Sequence, residues 1–257
     1  MAGNQRTSHP GAEQAASGVV PARPDDQAIP EPPWRRPRRE RAPRTPLSQE
    51  TIADAALRLL DRDGLDGLSM RRLAAELGTG AASLYWHVQN KDELLMLLVD
   101  RVMAEIELPP PDPARWQEQL KQMGRQVRQI LRRHRDIARV TLGRVPLGPN
   151  LVRFSEWLLG LLRAAGVPDR TAALAGDLLA LYVGAYAFEE SLEPPAVWEG
   201  LPPERMVGMI RDYFASVPAA RFPNVVALAD LLVSGDRDER FEFGLDVLVA
   251  GLAAQTS

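Results

Sequence analysis

The chain has 257 residues, 45% of them hydrophobic and 25% charged, with a formal net charge of −3. That composition fits one or two ordinary globular domains with ample core, and the charge sum does not mark a generally basic nucleic-acid binder. There is no cysteine and only three histidines, far apart at His9, His87 and His134, which excludes disulfides, thiolate metal sites and a structural zinc centre.

Charge is more informative by segment. Residues 1–44 carry eight prolines and almost no apolar periodicity, so a disordered extension is expected there. Its last part, Trp34 to Arg44, holds six arginines against one glutamate. This is either a solubilising tail or an arm for nucleic-acid phosphates or a minor groove. From Thr45 to Glu107 the balance reverses, with six Arg or Lys against eleven Asp or Glu.

The first helix starts at an N-cap, Ser48, with Glu50 in its first turn, and Ile52, Ala56, Leu59 and Leu60 repeat at helical spacing until Gly64 ends it. A second short helix runs from Ser69 to Leu77. Gly78 then suits the left-handed position that closes a helix, and Gly80 follows at once. The chain turns and restarts as a very short helix, Ala81 to Val88. Two helices joined by so tight a turn form a helix-turn-helix, whose second helix can enter a DNA major groove. Leu84 and Val88 share one face and should pack inward, leaving Ala81, Ala82, Ser83, Tyr85, Trp86 and His87 on the rest. Taken alone, Tyr85 and Trp86 could close a small core or face a partner.

Asn90-Lys91-Asp92-Glu93 is a capping box that opens a longer helix through Leu94, Leu95, Leu98, Val102 and Ile106, as far as the proline triplet 109–111. That triplet marks a boundary. Beyond it everything reads as helix, near 114–133, 136–142, 151–165, 169–192, 203–215, 225–232 and 237–254. The run from Arg115 to Arg144 holds nine Arg or Lys against two acids, either a solvated helix face or a surface for an anion. Two stretches, Arg170 to Phe188 and Phe241 to Leu252, are apolar nearly all round, and covering both calls for a second copy of the chain. The longest apolar run, Leu178 to Phe188, has eleven residues, short of the ~20 needed to cross a bilayer. No membrane span and a cytoplasmic location are therefore expected.

Enzyme chemistry finds little support. There is no Gly-rich phosphate loop, no G-x-S-x-G elbow and no metal-ligand cluster. Glu189 and Glu190 are adjacent, so on a helix they diverge by about 100° and cannot face one another.

The segment from Leu47 to Val102 resembles the DNA-binding domain of the tetracycline repressor (TetR) family. The marks are Asp63-Gly64-Leu65, then Leu68-Ser69-Met70-Arg71-Arg72-Leu73-Ala74, then Leu77-Gly78, then Leu84 through Leu95. The resemblance implies a DNA-facing set of Ser48, Arg71, Thr79, Ala81, Ala82, Ser83, Tyr85, Trp86, His87 and Lys91. The positions where family members read bases are Ala81 and Ala82, so direct readout falls to Arg71, Ser83, Tyr85 or methyl contacts.

More sparsely, His134 to Gly143 with Pro146, Gly184 to Glu190, and Phe241 to Leu245 with Gly251-Leu252 are similar to the effector domain of tetracycline repressors. The metal-binding histidine of that domain would fall at Thr141, a drug-binding asparagine at Met123 and a glutamine near Leu158, while Glu189 keeps a carboxylate. With those polar anchors replaced, a magnesium–drug complex is not expected, nor any other cofactor or metal. A mostly apolar cavity for a small apolar or amphipathic effector is, with Met123, Val127, Thr141, Leu142, Pro146, Leu158 and Glu189 as candidate contacts.

The expectation is an all-α chain in three parts. Residues 1–44 form the extension, 45–107 a three-helix helix-turn-helix domain, and 108–257 a ligand-binding and dimerisation domain. The function implied is a homodimeric repressor on a near-palindromic double-stranded operator, with a helical adaptor that does not bind DNA as the alternative.

Overall fold

The computed structural model describes residues 47–144, 147–192 and 195–256; among them there are helices and no strand. The Arg-rich stretch 34–44 and Pro146 lie outside the described residues.

Helix α1 (Gln49–Gly67) is capped by Ser48, whose hydroxyl accepts the Thr51 N–H at 3.1 Å. It buries Ile52, Ala55, Ala56, Leu59 and Leu60 and breaks at Gly64, where φ is 73°. Helix α2 (Met70–Glu76) is capped by Ser69. It closes as a Schellman turn: Thr79 N–H bonds Ala74 O, Gly78 N–H bonds Ala75 O, and Gly78 sits at φ 60°. Helix α3 spans Ala81–Tyr85, three residues less than the expected run to Val88. A helix this short has little stability of its own. It is held instead by Leu84 and Val88, which are both buried, and the chain from Trp86 to Val88 turns so that His87 and Val88 both donate to Leu84 O.

Helix α4 (Lys91–Met103) starts at Asn90, whose carbonyl accepts the Glu93 N–H at 2.8 Å. Glu93 reaches back one residue further than a standard capping box, to the Gln89 N–H at 2.6 Å. The helix ends short of the proline triplet. Its last carbonyl, Met103 O, and Ile106 O just beyond it accept from the Arg153 guanidinium at 3.2 and 3.1 Å.

A 3₁₀ turn at Pro113–Arg115 leads into α5 (Trp116–Arg133), followed by α6 (Ile137–Thr141), α7 (Pro149–Ala164) and α8 (Asp169–Ser191). Helix α9 (Pro203–Ser216), α10 (Pro223–Ala227), α11 (Ala229–Val233) and α12 (Arg237–Ala253) complete the chain. The single helix expected over 225–232 is broken at Leu228, and the bend lets both short pieces lie along α9. Helix α8 is central, packed by α5, α6, α7 and α12. By length and composition it could cross a membrane, contrary to the expectation from apolar run length, and a third of its apolar stretch is buried within the protein.

Two clusters form the core. One joins Trp116, Leu120, Leu161, Val183, Phe241 and Leu245 from α5, α7, α8 and α12. The other fills the space inside α1–α4 but continues without a break into Ile130, Leu131, Ile137, Val140 and Ala187.

Candidate nucleic-acid interface and effector cavity

The α2–α3 turn presents its surface outward. Trp86 is 87% exposed and Tyr85 47%, while Leu84 behind them is fully buried. Arg71, Ala81, Ala82 and Ser83 are exposed, and Thr79 and His87 are half-buried. Arg71 has no ion-pair partner among the described residues. Ser48 is exposed too, but its hydroxyl is already engaged by Thr51. Lys91 stands at the start of α4, where the helix dipole favours an anion, and its ammonium donates to Leu65 O at 3.2 Å.

The acidic balance of this region is resolved by where its carboxylates go. Asp54 pairs with Arg101 at 2.7 Å, Asp63 with Arg72 at 2.6 Å and Glu76 with Arg62 at 3.2 Å. Arg62 is raised above its ordinary value by Glu76 and Asp63. Asp61, Asp100 and Glu105 face the C-terminal helices instead. Six of the region's eleven carboxylates are thus turned to partners within the protein, while Asp92, at the start of α4, stays largely exposed.

A cavity of about 740 Å³, part of it open to solvent, lies between α4, α5, α7 and α8. Met123, Val127, Thr141 and Leu158 line it, together with Val102, Ile106, Phe154 and Val183. The only hydroxyl among its described lining residues, on Thr141, donates to Ala138 O at 2.8 Å. Of the other residues expected here, Leu142 packs toward Gly184 at the rim. Glu189 is exposed and does not line the cavity; the buried carboxylate is its neighbour Glu190, at the next helical position. With no carboxylate or imidazole among the described residues of its wall, the cavity offers a divalent cation no adequate oxygen set from them, so a magnesium complex does not fit these residues.

Sequence reasoning missed how the two halves are joined. The Leu65 peptide is held from both sides: its N–H donates to the Asp136 carboxylate at 2.8 Å, and its C=O accepts from Lys91. Asp136 adopts φ 57°, the left-handed region, to make that contact. Beside it, Arg135 N–H donates to Asp61 at 3.0 Å, and the His134 ring lies between Asp61 and Glu105 at 3.0 and 3.1 Å. On the far side of α4, buried Asp100 accepts Leu151 N–H at 3.0 Å and the Asn150 amide at 2.9 Å. It thus caps the start of α7, and a Cβ on Gly148 would fall on its carboxylate.

A second buried charge, Arg128, pairs with Glu190 and Asp238 and lies 4.4 Å from the centre of the Phe241 ring. Glu190 holds this guanidinium above its ordinary value against the opposing cost of burial. Only a charged residue on an otherwise apolar helix face, such as Asp100, hinted at these roles.

An outward helix-turn-helix joined through one shared helix to an apolar cavity defines a ligand-responsive DNA-binding regulator. Comparison with known proteins gives the family. Residues 52–97 match bacterial regulatory proteins of the tetR family, and residues 108–256 match the tetracyclin repressor-like C-terminal domain. The chain belongs to the TetR family. It is 35% identical to the HTH-type transcriptional repressor DrrR1 of Streptomyces coeruleorubidus, over 85% of this chain and 81% of that one. It is 34% identical to an HTH-type transcriptional regulator of Saccharopolyspora erythraea, over 86% and 91%. Among solved structures, the TetR family protein ActR of Streptomyces coelicolor in complex with actinorhodin is 47% identical, with a TM-score of 0.73 over 82% of this chain and 98% of that one. The adaptor alternative is not favoured.

Proposed function

We propose that the chain is a homodimeric repressor that releases a near-palindromic operator when a small apolar or amphipathic molecule fills the cavity. The observation that carries this is the double role of α4. Val99, Val102 and Met103 form one wall of the cavity, with Ile106 just beyond the helix end, while Lys91 opens the same helix beside the α3 surface. A ligand that repositions the α4 wall tilts the reading surface, and the Asp136–Leu65–Lys91 joint and the Asp100 cap transmit the motion rather than absorb it. The ligand's preference for one of the two arrangements sets the coupling, typically about 1–3 kcal/mol.

In this reading residues 45–107 form the DNA-binding part and 108–257 the effector part. Arg71, Thr79, Ser83, Tyr85, His87 and Lys91 contact phosphates or base edges, and Trp86 packs on the backbone or a base edge. Dimerisation covers the exposed stripes of Leu174, Leu178 and Leu181 on α8 and Phe243 and Val247 on α12. The same pairing would account for the apolar side of α8 left open in one subunit. No metal takes part, and the protein acts in the cytoplasm where its operator lies. The actinorhodin complex of ActR and the repressor role of DrrR1 support the reading.

The test is selection of an operator from random duplexes, followed by fluorescence anisotropy with and without small apolar and amphipathic molecules bearing neutral, cationic or anionic heads. Binding at two half-sites that an effector weakens at least about 5-fold is expected. Failure to enrich any sequence would defeat the proposal.

A further inference from the structure

We propose that the cleft beside the cavity is the seat of the effector's polar end, which makes the effector amphipathic with an uncharged or cationic head rather than an anionic one. The inference rests on the proposed role of the cavity and extends it.

Among its described lining residues the cavity offers a guest one side-chain acceptor, the Thr141 hydroxyl, whose own proton goes to Ala138 O, and no side-chain donor; any further unpaired polar atom buried there costs about 1–3 kcal/mol. Next to it lies a second hollow of about 690 Å³, also partly open to solvent, between the end of α4 and α5. Gln119, Gln122 and Gln126 are spaced three and four apart on α5 and share one face toward this hollow, with Glu107 and Pro109 opposite. Met123 is the one side chain that lines both spaces, so it is the partition between them.

Hydrogen-bonding capacity in the cleft is unevenly spent. Gln119 accepts Asp112 N–H at 2.8 Å and donates to Pro110 O at 2.9 Å, which fixes the proline segment. Gln126 uses its carbonyl on Glu107 N–H at 3.1 Å, and this leaves its amide protons to a guest. Gln122 has no hydrogen-bond partner among the described residues.

The electrostatic balance favours a neutral or positive head. Cations nearby on α5 are occupied, Lys121 by Asp246 at 2.6 Å and Arg125 by Glu118 and Glu242 at 3.1 and 2.8 Å. The Glu107 carboxylate is exposed, with no ion-pair partner among the described residues. An anion entering the cleft meets that charge with no Lys or Arg among the described lining residues; the Arg153 guanidinium, bound to Ile106 O at 3.1 Å, is not among them. A hydroxyl or ammonium meets acceptors, and Met123, unbranched and adaptable, can swing aside to let one molecule occupy both spaces.

The experiment uses the full chain and the fluorescent apolar probe N-phenyl-1-naphthylamine, displaced by decan-1-ol, decylammonium or decanoate. The probe should bind with enhanced fluorescence, and Ala180→Phe, which obstructs the cavity at its exposed wall, should abolish this. Decan-1-ol and decylammonium should displace it at about 10-fold lower concentration than decanoate, the equivalent of one lost charge-assisted contact. Glu107→Gln should reduce the gap between decylammonium and decanoate to under about 3-fold. Gln122→Ala with Gln126→Ala should weaken decan-1-ol while leaving the probe unchanged. If the probe binds in the cavity but all three competitors act alike, or if the cleft variants leave their order intact, the cleft is only a solvated helix face and the inference falls. If the probe fails to bind, or Ala180→Phe leaves it bound, the cavity reading beneath it falls instead.

Discussion

Replacing Asp136 separates two opposing contributions at one position. The residue sits at φ 57° and accepts the Leu65 N–H at 2.8 Å in a partly buried setting. A hydrogen bond to a charged acceptor contributes about 1.5–3 kcal/mol. Left-handed backbone costs an ordinary L-residue about 1–2 kcal/mol, less for Asp or Asn and nothing for Gly. Asp136→Asn keeps the backbone preference and an acceptor oxygen and should cost about 1 kcal/mol or less. Asp136→Gly relieves the strain but loses the bond and gains chain entropy in the unfolded state, a net loss of about 1.5–3 kcal/mol. Asp136→Ala loses the bond and bears more left-handed strain than Asp did, for a loss of about 2–4 kcal/mol. Urea denaturation of the full chain measures these differences. Operator binding with and without effector should show weaker release by effector in the Gly and Ala variants. An Asn variant as unstable as Ala, or a Gly variant less stable than Ala, would show that neither the bond nor the backbone conformation matters at this joint.

Other expectations concern single surfaces. Leu84→Ala should destabilise the fold by about 2–5 kcal/mol, because the side chain is fully buried behind α3. Trp86→Ala, at 87% exposure, should change stability by no more than about 0.5 kcal/mol while lowering operator affinity at least about 10-fold. Phe243→Glu, on the exposed α12 stripe, should yield a monomer in sedimentation velocity with helix content retained. Burial pushes the Tyr182 phenol up to about 12, so the folded chain holds that proton more tightly than the unfolded one. Stability should therefore be lost as pH rises from the ordinary phenol range, about 10, through about 12. Phenolate absorbance tracks this step, and Tyr182→Phe should remove it.

Local chemistry made much of the first four helices legible. Ser48, Ser69 and Asn90 announced helix starts, Gly64 and Gly78 announced stops, and Leu84 with Val88 identified the inner face of α3. The apolar wall holding Met123, Val127, Thr141 and Leu158 was accessible through the family resemblance, since periodicity alone does not say which apolar residues leave space between them. Glu189 shows the limit of that route: one helical position separates an exposed carboxylate from the buried one of Glu190. The contacts of Asp100, His134 and Asp136 were beyond reach for a different reason. Each joins residues tens of positions apart through one or two hydrogen bonds, and beyond the charge of Asp100 on an apolar helix face nothing local marks a side chain that will be used so. The acidic charge of the DNA-facing region was misleading in the sum because many of its carboxylates are neutralised by partners away from α3.

The unbroken packing from α1–α4 into Ile130, Leu131, Ile137, Val140 and Ala187 bears on modularity. A fragment cut at the proline triplet would leave part of the α1–α4 cluster facing water where Ile130, Leu131, Ile137 and Val140 had been. Hybrid regulators that graft this head onto a foreign sensor should therefore carry the 130–140 segment along with it. The seam that can be cut lies inside the sensor, not at the prolines.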